Sequence, residues 1–245
     1  ASDFGNKYGQ PLIAGSLLTF EHEEAGTTHG YDKVIMLAGG IGYANSRDTQ
    51  KERAEKDQEI IVMGGDNYRI GMGGGSVSSV NTGQYANAIE LNAVQRANPE
   101  MQKRVANAIR ALAEMQENPV VSIHDHGAGG HLNALSELVE ETGGVIDIRK
   151  LPIGDSTLSA REIIGNESQE RMGLLLRPEH VAMLQKIAAR ERAPIYQVGH
   201  TTGDHRFVFR DAENAINPMD LDLTDMFANP PQLVLEDTTR NTQYK

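Results

Sequence analysis

The chain contains no cysteine, which removes disulfides, thiolate zinc sites and a cysteine nucleophile from consideration. A chain without disulfides fits a reducing compartment, and a cytoplasmic location is the expectation. Basic charge is also scarce: 23 Lys and Arg stand against 34 Asp and Glu, for a net charge of −11. A nucleic-acid backbone is bound through a basic patch, and no dense run of Lys or Arg is present, so no nucleic-acid partner is expected. An acidic chain can still hold a phosphorylated metabolite through backbone N–H groups and Mg2+. No apolar run approaches the roughly 18 residues of a membrane span, and the first residues lack the basic-then-apolar pattern of a signal peptide. No membrane association is expected. The sequence starts at Ala1 rather than at Met, so a processed product or a fragment is expected.

What is present describes a globular chain. Of 245 residues, 39% are apolar and 23% charged, and many of the 25 glycines cluster in short loops between apolar runs. Such loops let backbone approach a ligand closely. The apolar run at residues 11–20 predicts a strand ending near Thr19, with a return strand through residues 33–38. Two strands bury no face alone and need a partner sheet. Gly39, Gly40 and Gly42 follow without the helix and acidic residue of a dinucleotide site, so a Rossmann reading is not adopted. The charged stretch 47–58 reads as a connector into a short strand at 59–63. From there strands and helices alternate to about residue 211, which predicts an α/β or α+β domain.

Within that region the punctuation is clear. Asn98, Pro99 and Glu100 start a helix whose apolar face carries Met101, Val105, Ile109, Leu112 and Met115. Residues 120–125 form a strand and 127–130 its glycine turn. Leu132, Leu135, Leu138 and Val139 are the buried stripe of the next helix, which Gly143 and Gly144 terminate. A strand at 144–148, a short helix at 159–164, a strand at 172–176, a helix from Pro178 and strands at 195–198 and 207–209 complete the series. The stretch from Asn217 onward is acidic, carries Pro230-Pro231 and reads as an extended edge or linker.

Two polar stretches sit at the mouths of apolar strands. Residues 166–172, Asn-Glu-Ser-Gln-Glu-Arg-Met, set a carboxylate, a hydroxyl and a carboxamide side by side. That sequence is either a ligand loop or a solvated turn. Residues 124–130, His-Asp-His-Gly-Ala-Gly-Gly, bring Asp125 to a strand's C-terminal end, where α/β sheets present ligand groups. A lone carboxylate suits Mg2+ shared with water and phosphates, or it caps the glycine turn. His124 and His126 lack the further ligands of a zinc site. Gly73, Gly74, Gly75 and Ser76 lack a Walker ending; they form either a backbone nest for phosphate or a tight turn. Gln95, just before the helix at 98, either reads a ligand or is exposed.

Taken together, residues 33–42, 70–79, 94–101, 124–130 and 166–172 resemble phosphoribosylformylglycinamidine synthase in order and spacing, with Arg190-Glu-Arg-Ala-Pro194 adding to the likeness. The likeness extends from about residue 5 to 235 and is closer to the first half of the large multidomain form. It implies a two-part purine-synthesis ATP-using fold, in which residues 1–57 end an ATP-binding subdomain, 58–216 form the substrate-side subdomain and 217–245 form a tail or linker. It further implies an ATP-dependent carbon–nitrogen ligase that converts formylglycinamide ribonucleotide to the amidine with glutamine-derived ammonia, through an iminophosphate. Under that resemblance Gln95, Glu167, Ser168 and Gln169 bind the ribonucleotide, Asp125 holds Mg2+, and Thr19, Phe20 and Glu21 lie near ATP. No catalytic residue is assigned. The family's glutaminase, its upstream catalytic histidine and its second half are not represented, so partner domains are expected, the isolated piece is expected to be inactive, and its unpaired strands allow self-association. The competing reading is a noncatalytic phosphate-binding or assembly domain of the same fold.

Overall fold

A computed structural model describes residues 2–16, 18–30, 39, 41–73, 77, 80, 84–93, 98–228 and 231–236. Near the N-terminus are helix α1 (Ser2–Tyr8) and the strands β1 (Glu21–Glu24) and β2 (Thr27–Gly30), which pair antiparallel as a two-stranded hairpin. The strand expected to end near Thr19 forms later in the chain than predicted. The turn explains the shift: Ala25 and Gly26 adopt φ values of 51° and 78°, the pair of positive angles that a two-residue hairpin turn demands. Upstream, Leu12, Ile13 and Leu18 are exposed. The expected return strand at 33–38 lies outside the described residues.

The remaining elements follow as β3 (Glu59–Met63), α2 (Asn87–Leu91), α3 (Pro99–Ala113), β4 (Val120–Asp125), α4 (Gly130–Leu138), β5 (Gly144–Asp147), α5 (Ala160–Ile164), β6 (Met172–Leu176), α6 (Pro178–Glu191), β7 (Ile195–Thr201), β8 (Arg206–Asp211), β9 (Ile216–Asp222) and α7 (Leu223–Met226). Seven of the strands form one sheet in the order β4-β6-β3-β7-β5-β8-β9. Every pairing is antiparallel except β5 with β8. The mixed α/β expectation therefore resolves toward α+β.

Period-two alternation in β3 feeds two cores. Ile60 and Val62 face one core with Leu135 and Leu138 of α4, Leu175 and the edge-to-face pair Phe207 and Phe209. Ile61 and Met63 face the other with Val105 and Leu112 of α3, Leu174, Leu176 and Leu184 of α6. Helices on both faces explain why β3 and β6 are continuous apolar runs rather than alternating ones. α3 begins as its sequence predicts: Asn98 caps it by accepting from the Met101 N–H at 2.9 Å, with Pro99 in the first turn.

The sheet also continues past residue 216, where the sequence suggested that a tail begins. β9 is an edge strand on β8, and α7 buries Leu223 against the first core. Its alternating acidic residues, Asp220 and Asp222, belong to an edge; Asp220 pairs with Arg206 and Asp222 caps α7.

The parallel pair is clamped at its C-terminal end. Arg149 Nε donates to Asp211 Oδ1 at 3.0 Å and Nη2 to Oδ2 at 2.6 Å, while Asp211 also accepts from the Glu213 and Asn214 amides. The Arg149 hydrogen bonds hold the Asp211 carboxyl well below the usual carboxylate range. Its contribution to stability is therefore complete above about pH 4 and is lost as pH falls through the depressed value. Asp211→Asn is expected to lower the thermal midpoint at pH 7, and the gap to the parent protein should close on acidification below pH ~4. A gap that stays constant with pH would contradict this assignment.

Candidate functional site

Three loops leave the same end of the sheet. Met172, the first residue of β6, pairs with Met63, the last of β3, on one side and with Asp125, the last of β4, on the other. The loops 64–73, 126–130 and 165–171 therefore start within one strand spacing of each other. Glycines let them touch backbone to backbone. A Cβ at Gly64 would lie 2.2 Å from the Glu170 carbonyl oxygen, and one at Gly130 would lie 2.4 Å from that of Asn166.

Hydrogen bonds knit the loops together. The Glu167 N–H donates to Gly71 O at 2.7 Å, the Ser168 N–H to His126 O at 3.0 Å and the His126 N–H to Arg171 O at 3.4 Å. The Gly129 N–H donates to Glu167 Oε1 at 3.2 Å, and Met72 bridges Asn166. Upstream, α5 carries a capping box, Ser159 with Glu162, and Gly165 ends it just before the loop.

Beneath these loops lies a buried polar cluster made of Asn67, His126, His131, Asn166 and Arg171. Arg171 Nη1 lies 2.7 Å from His131 Nε2, and the guanidinium also donates to both the backbone oxygen and Oδ1 of Asn166. Arginine carries no acceptor, so His131 Nε2 accepts and its Nδ1–H donates to His126 Nε2, 2.9 Å away. Asn166 Nδ2 donates onward to the carbonyls of Tyr68 at 2.9 Å and Ile70 at 2.5 Å. Asn67 Nδ2 donates to Ile163 O at 3.3 Å.

Burial, then the Arg171 charge, pushes both histidines well below the ordinary histidine range, so both are neutral at pH 7. Burial also lowers Arg171 to about 9, offset by the Glu170 and Asp66 carboxylates, and it remains a cation at neutral pH.

Of the predicted ligand residues, Glu167 and Ser168 are buried and Gln169 is exposed. Ser168 Oγ accepts from the Glu170 N–H at 3.3 Å, and the Glu167 carboxylate lies under the Gly129 amide. The polar run is thus not a set of three solvent-facing side chains; two of its members are turned into the loop fabric. Asp125 is exposed at the end of β4, and one of its carboxylate oxygens lies 2.9 Å from where a Gly127 Cβ would sit. Thr19, Phe20 and Glu21 open the exposed hairpin, whose strands among the described residues pair with each other and not with the seven-stranded sheet. Gly73 has φ +95° and, among the described residues, nothing within 4 Å of an added Cβ; Gly74, Gly75, Ser76 and Gln95 lie outside the described residues. Among the described residues no group of three or more His, Cys, Asp and Glu is placed to hold a metal. A single carboxylate such as Asp125 fits Mg2+ that draws its other ligands from water and phosphate.

Sequence reasoning passed over Arg171, His131 and Asn67. The available signals were an arginine directly before an apolar strand, and a histidine in line with Leu135 and Leu138 on the apolar face of α4.

A mixed sheet packed between helices, with glycine-tight loops converging at one end, defines an α+β domain whose candidate site is that loop cluster. The chain belongs to the family described as AIR synthase related protein, C-terminal domain, whose model matches residues 55–212. It is similar to the phosphoribosylformylglycinamidine synthase of Dictyostelium discoideum, 40% identical over 245 residues, which covers 97% of this chain and 18% of that protein. It is similar also to the Homo sapiens enzyme of that name, 42% identical over 214 residues, with coverage of 86% and 16%. The chain thus spans less than a fifth of the length of these relatives. Among solved structures, T. maritima PurL complexed with FGAR shares the fold with a TM-score of 0.74 at 23% identity, over 99% of this chain and 38% of that one. T. maritima PurL complexed with ATP matches with a TM-score of 0.65 at 20% identity, over 98% and 36%. Among the described residues no helix is long and apolar enough to cross a membrane.

Proposed function

We propose that this chain is the part of a phosphoribosylformylglycinamidine synthase that carries the ribonucleotide-binding loops of an ATP-dependent carbon–nitrogen ligase. The observation that carries the reading is 40% identity to an enzyme of that name across 97% of the chain, with the motifs at 124–130 and 166–172 falling on the converging loops. Residues 58–216 are assigned to the substrate side, extended by β9 and α7, and residues 1–57 to the end of an ATP-binding subdomain. ATP contacts would include Thr19, Phe20 and Glu21. The remaining synthetase and glutaminase domains are partners, since a chain without cysteine cannot release ammonia from glutamine through a thiolate. A cytoplasmic location is part of the same reading.

In this reading Gln169 meets the ribonucleotide from the solvent side, and Gln95 joins it from the segment before α3. Glu167 acts from beneath: its carboxylate, which accepts from the Gly129 amide, would also accept from ribose hydroxyls or amide N–H groups of the ligand. Ser168 supports the turn. Asp125 would hold Mg2+, which supplies charge neutralisation for ATP phosphates. Transfer of the γ-phosphoryl group of ATP to the substrate's amide oxygen releases ADP, and ammonia then displaces inorganic phosphate from the iminophosphate to form the amidine.

The test is calorimetric titration of the full-length enzyme with formylglycinamide ribonucleotide, with and without Mg-ATP. Glu167→Ala is expected to weaken ribonucleotide binding by about tenfold or more, because it removes an acceptor from a partly desolvated site. Unchanged affinity in a folded variant would remove Glu167 from the site. Asp125→Asn is expected to leave unfolding unaltered while weakening the Mg2+ dependence of nucleotide binding; the same Mg2+ titration curve in both proteins would refute the assignment.

A further inference from the structure

The buried polar cluster is expensive in the form it takes. Arg171 has no exposed surface, and burying a guanidinium forfeits hydration that its acceptors and the nearby Glu170 and Asp66 carboxylates replace only in part. An apolar side chain of similar volume would fill the same space without that cost, so the cation contributes little as packing. Its geometry indicates what it does contribute. The guanidinium grips Asn166 at two oxygens and His131 at one nitrogen. Asn166 in turn holds the carbonyls of Tyr68 and Ile70, and His131 holds His126. Each of the three converging loops is thereby joined to a single side chain, either directly or through one neighbour.

We propose that Arg171 is a positioning residue: by joining the loops 64–73, 126–130 and 165–171 it fixes Glu167 and Gln169 in register with Gly129 and Gly71. This rests on the proposed ribonucleotide site. Arg171 touches no reacting atom; it acts through Asn166 and His131. Loss of the guanidinium leaves β3, β4 and β6 paired, because their ladders and apolar faces do not depend on it, while the loops lose their common anchor.

The experiment uses the full-length enzyme with Arg171→Met, Glu167→Gln and the double variant, and reads affinity for formylglycinamide ribonucleotide together with amide hydrogen exchange. Arg171→Met is expected to unfold cooperatively yet bind about tenfold more weakly. The Gly129, Glu167 and Ser168 amides should lose protection while those of β3 and β6 keep it. If Arg171 acts through the loop that carries Glu167, the two substitutions are coupled, and the double variant should bind far less weakly than the product of the single effects requires. Native affinity with native protection in Arg171→Met, or strictly multiplicative effects where Glu167→Gln itself weakens binding, would overturn the proposal.

Should Arg171→Met fail to fold, Asn166→Asp decides the matter. It keeps the acceptor for Arg171 but loses both donor bonds to the 68–70 carbonyls, so it should reproduce the weak binding and the loss of protection; native behaviour there overturns the proposal. Unchanged affinity in Glu167→Gln would refute the substrate reading alone, and the exchange pattern would still decide whether Arg171 anchors the loops.

Discussion

Gly64→Ala is expected to destabilise the domain by on the order of 3 kcal/mol and to abolish ligand binding at the converging loops. Two costs combine at this position. The backbone sits at φ +117°, a region that L side chains rarely adopt, and the added methyl would lie 2.2 Å from Glu170 O and 2.9 Å from the Arg171 Cα. Both contacts are backbone, so relief requires moving either the end of β3 or the loop that carries Glu167. A control separates the two costs: Gly73 has φ +95° and, among the described residues, nothing within 4 Å of an added Cβ. Gly73→Ala should therefore bear only the conformational cost, roughly 1–2 kcal/mol. Equilibrium urea unfolding measures both. Equal destabilisation by the two substitutions would mean that the close approach of Gly64 to the 170–171 backbone is not tight in solution.

Acidification should unfold the protein with a slope set by the buried histidine pair. His126 and His131 are held well below the ordinary histidine range, first by burial and then by the Arg171 charge. In the unfolded chain both titrate near pH ~6.5. Below that pH the unfolded state binds more protons than the folded state, so stability falls as pH falls and is fully present only above it. Each histidine adds a slope of about 1.4 kcal/mol per pH unit, and together they add about 2.7. His131→Asn removes one of the two protons and should reduce the slope of unfolding free energy against pH by about half of that sum between pH 6 and 5. An unaltered slope would show that His131 is protonated in the folded protein and that the cluster has a different hydrogen arrangement.

The helices and central strands were legible because their determinants are local. Asn98-Pro99-Glu100 contains a complete N-terminal signal for α3, and its apolar positions repeat at helical spacing. The continuous apolar runs of β3 and β6 announce strands covered on both faces. The first strand was misplaced because the apolar run at 11–20 outweighed a positive-φ turn at Ala25-Gly26, whose geometry is invisible in composition. β9 was read as tail because an acidic edge strand has the composition of a linker; only its ladder to β8 distinguishes them.

For the candidate site, the motifs at 124–130 and 166–172 fall on loops that converge, but the directions of their side chains were not legible. Glu167 and Ser168 look solvated in a polar run, yet they are buried because the Gly129 and Gly71 backbones close over that loop. Sequence by itself determined β3 and the order of elements from α3 to β8, the helix boundaries set by caps, and the presence of polar chemistry at the ends of β4 and β6. Tertiary structure alone decided that three loops share one end of the sheet and that Arg171 lies buried beneath them. The physical reason is range. Periodicity, capping and turn preference act within a few residues, whereas a buried charge is defined by distant partners: Asn166 and Tyr68, which meet in this cluster, are 98 residues apart in the chain.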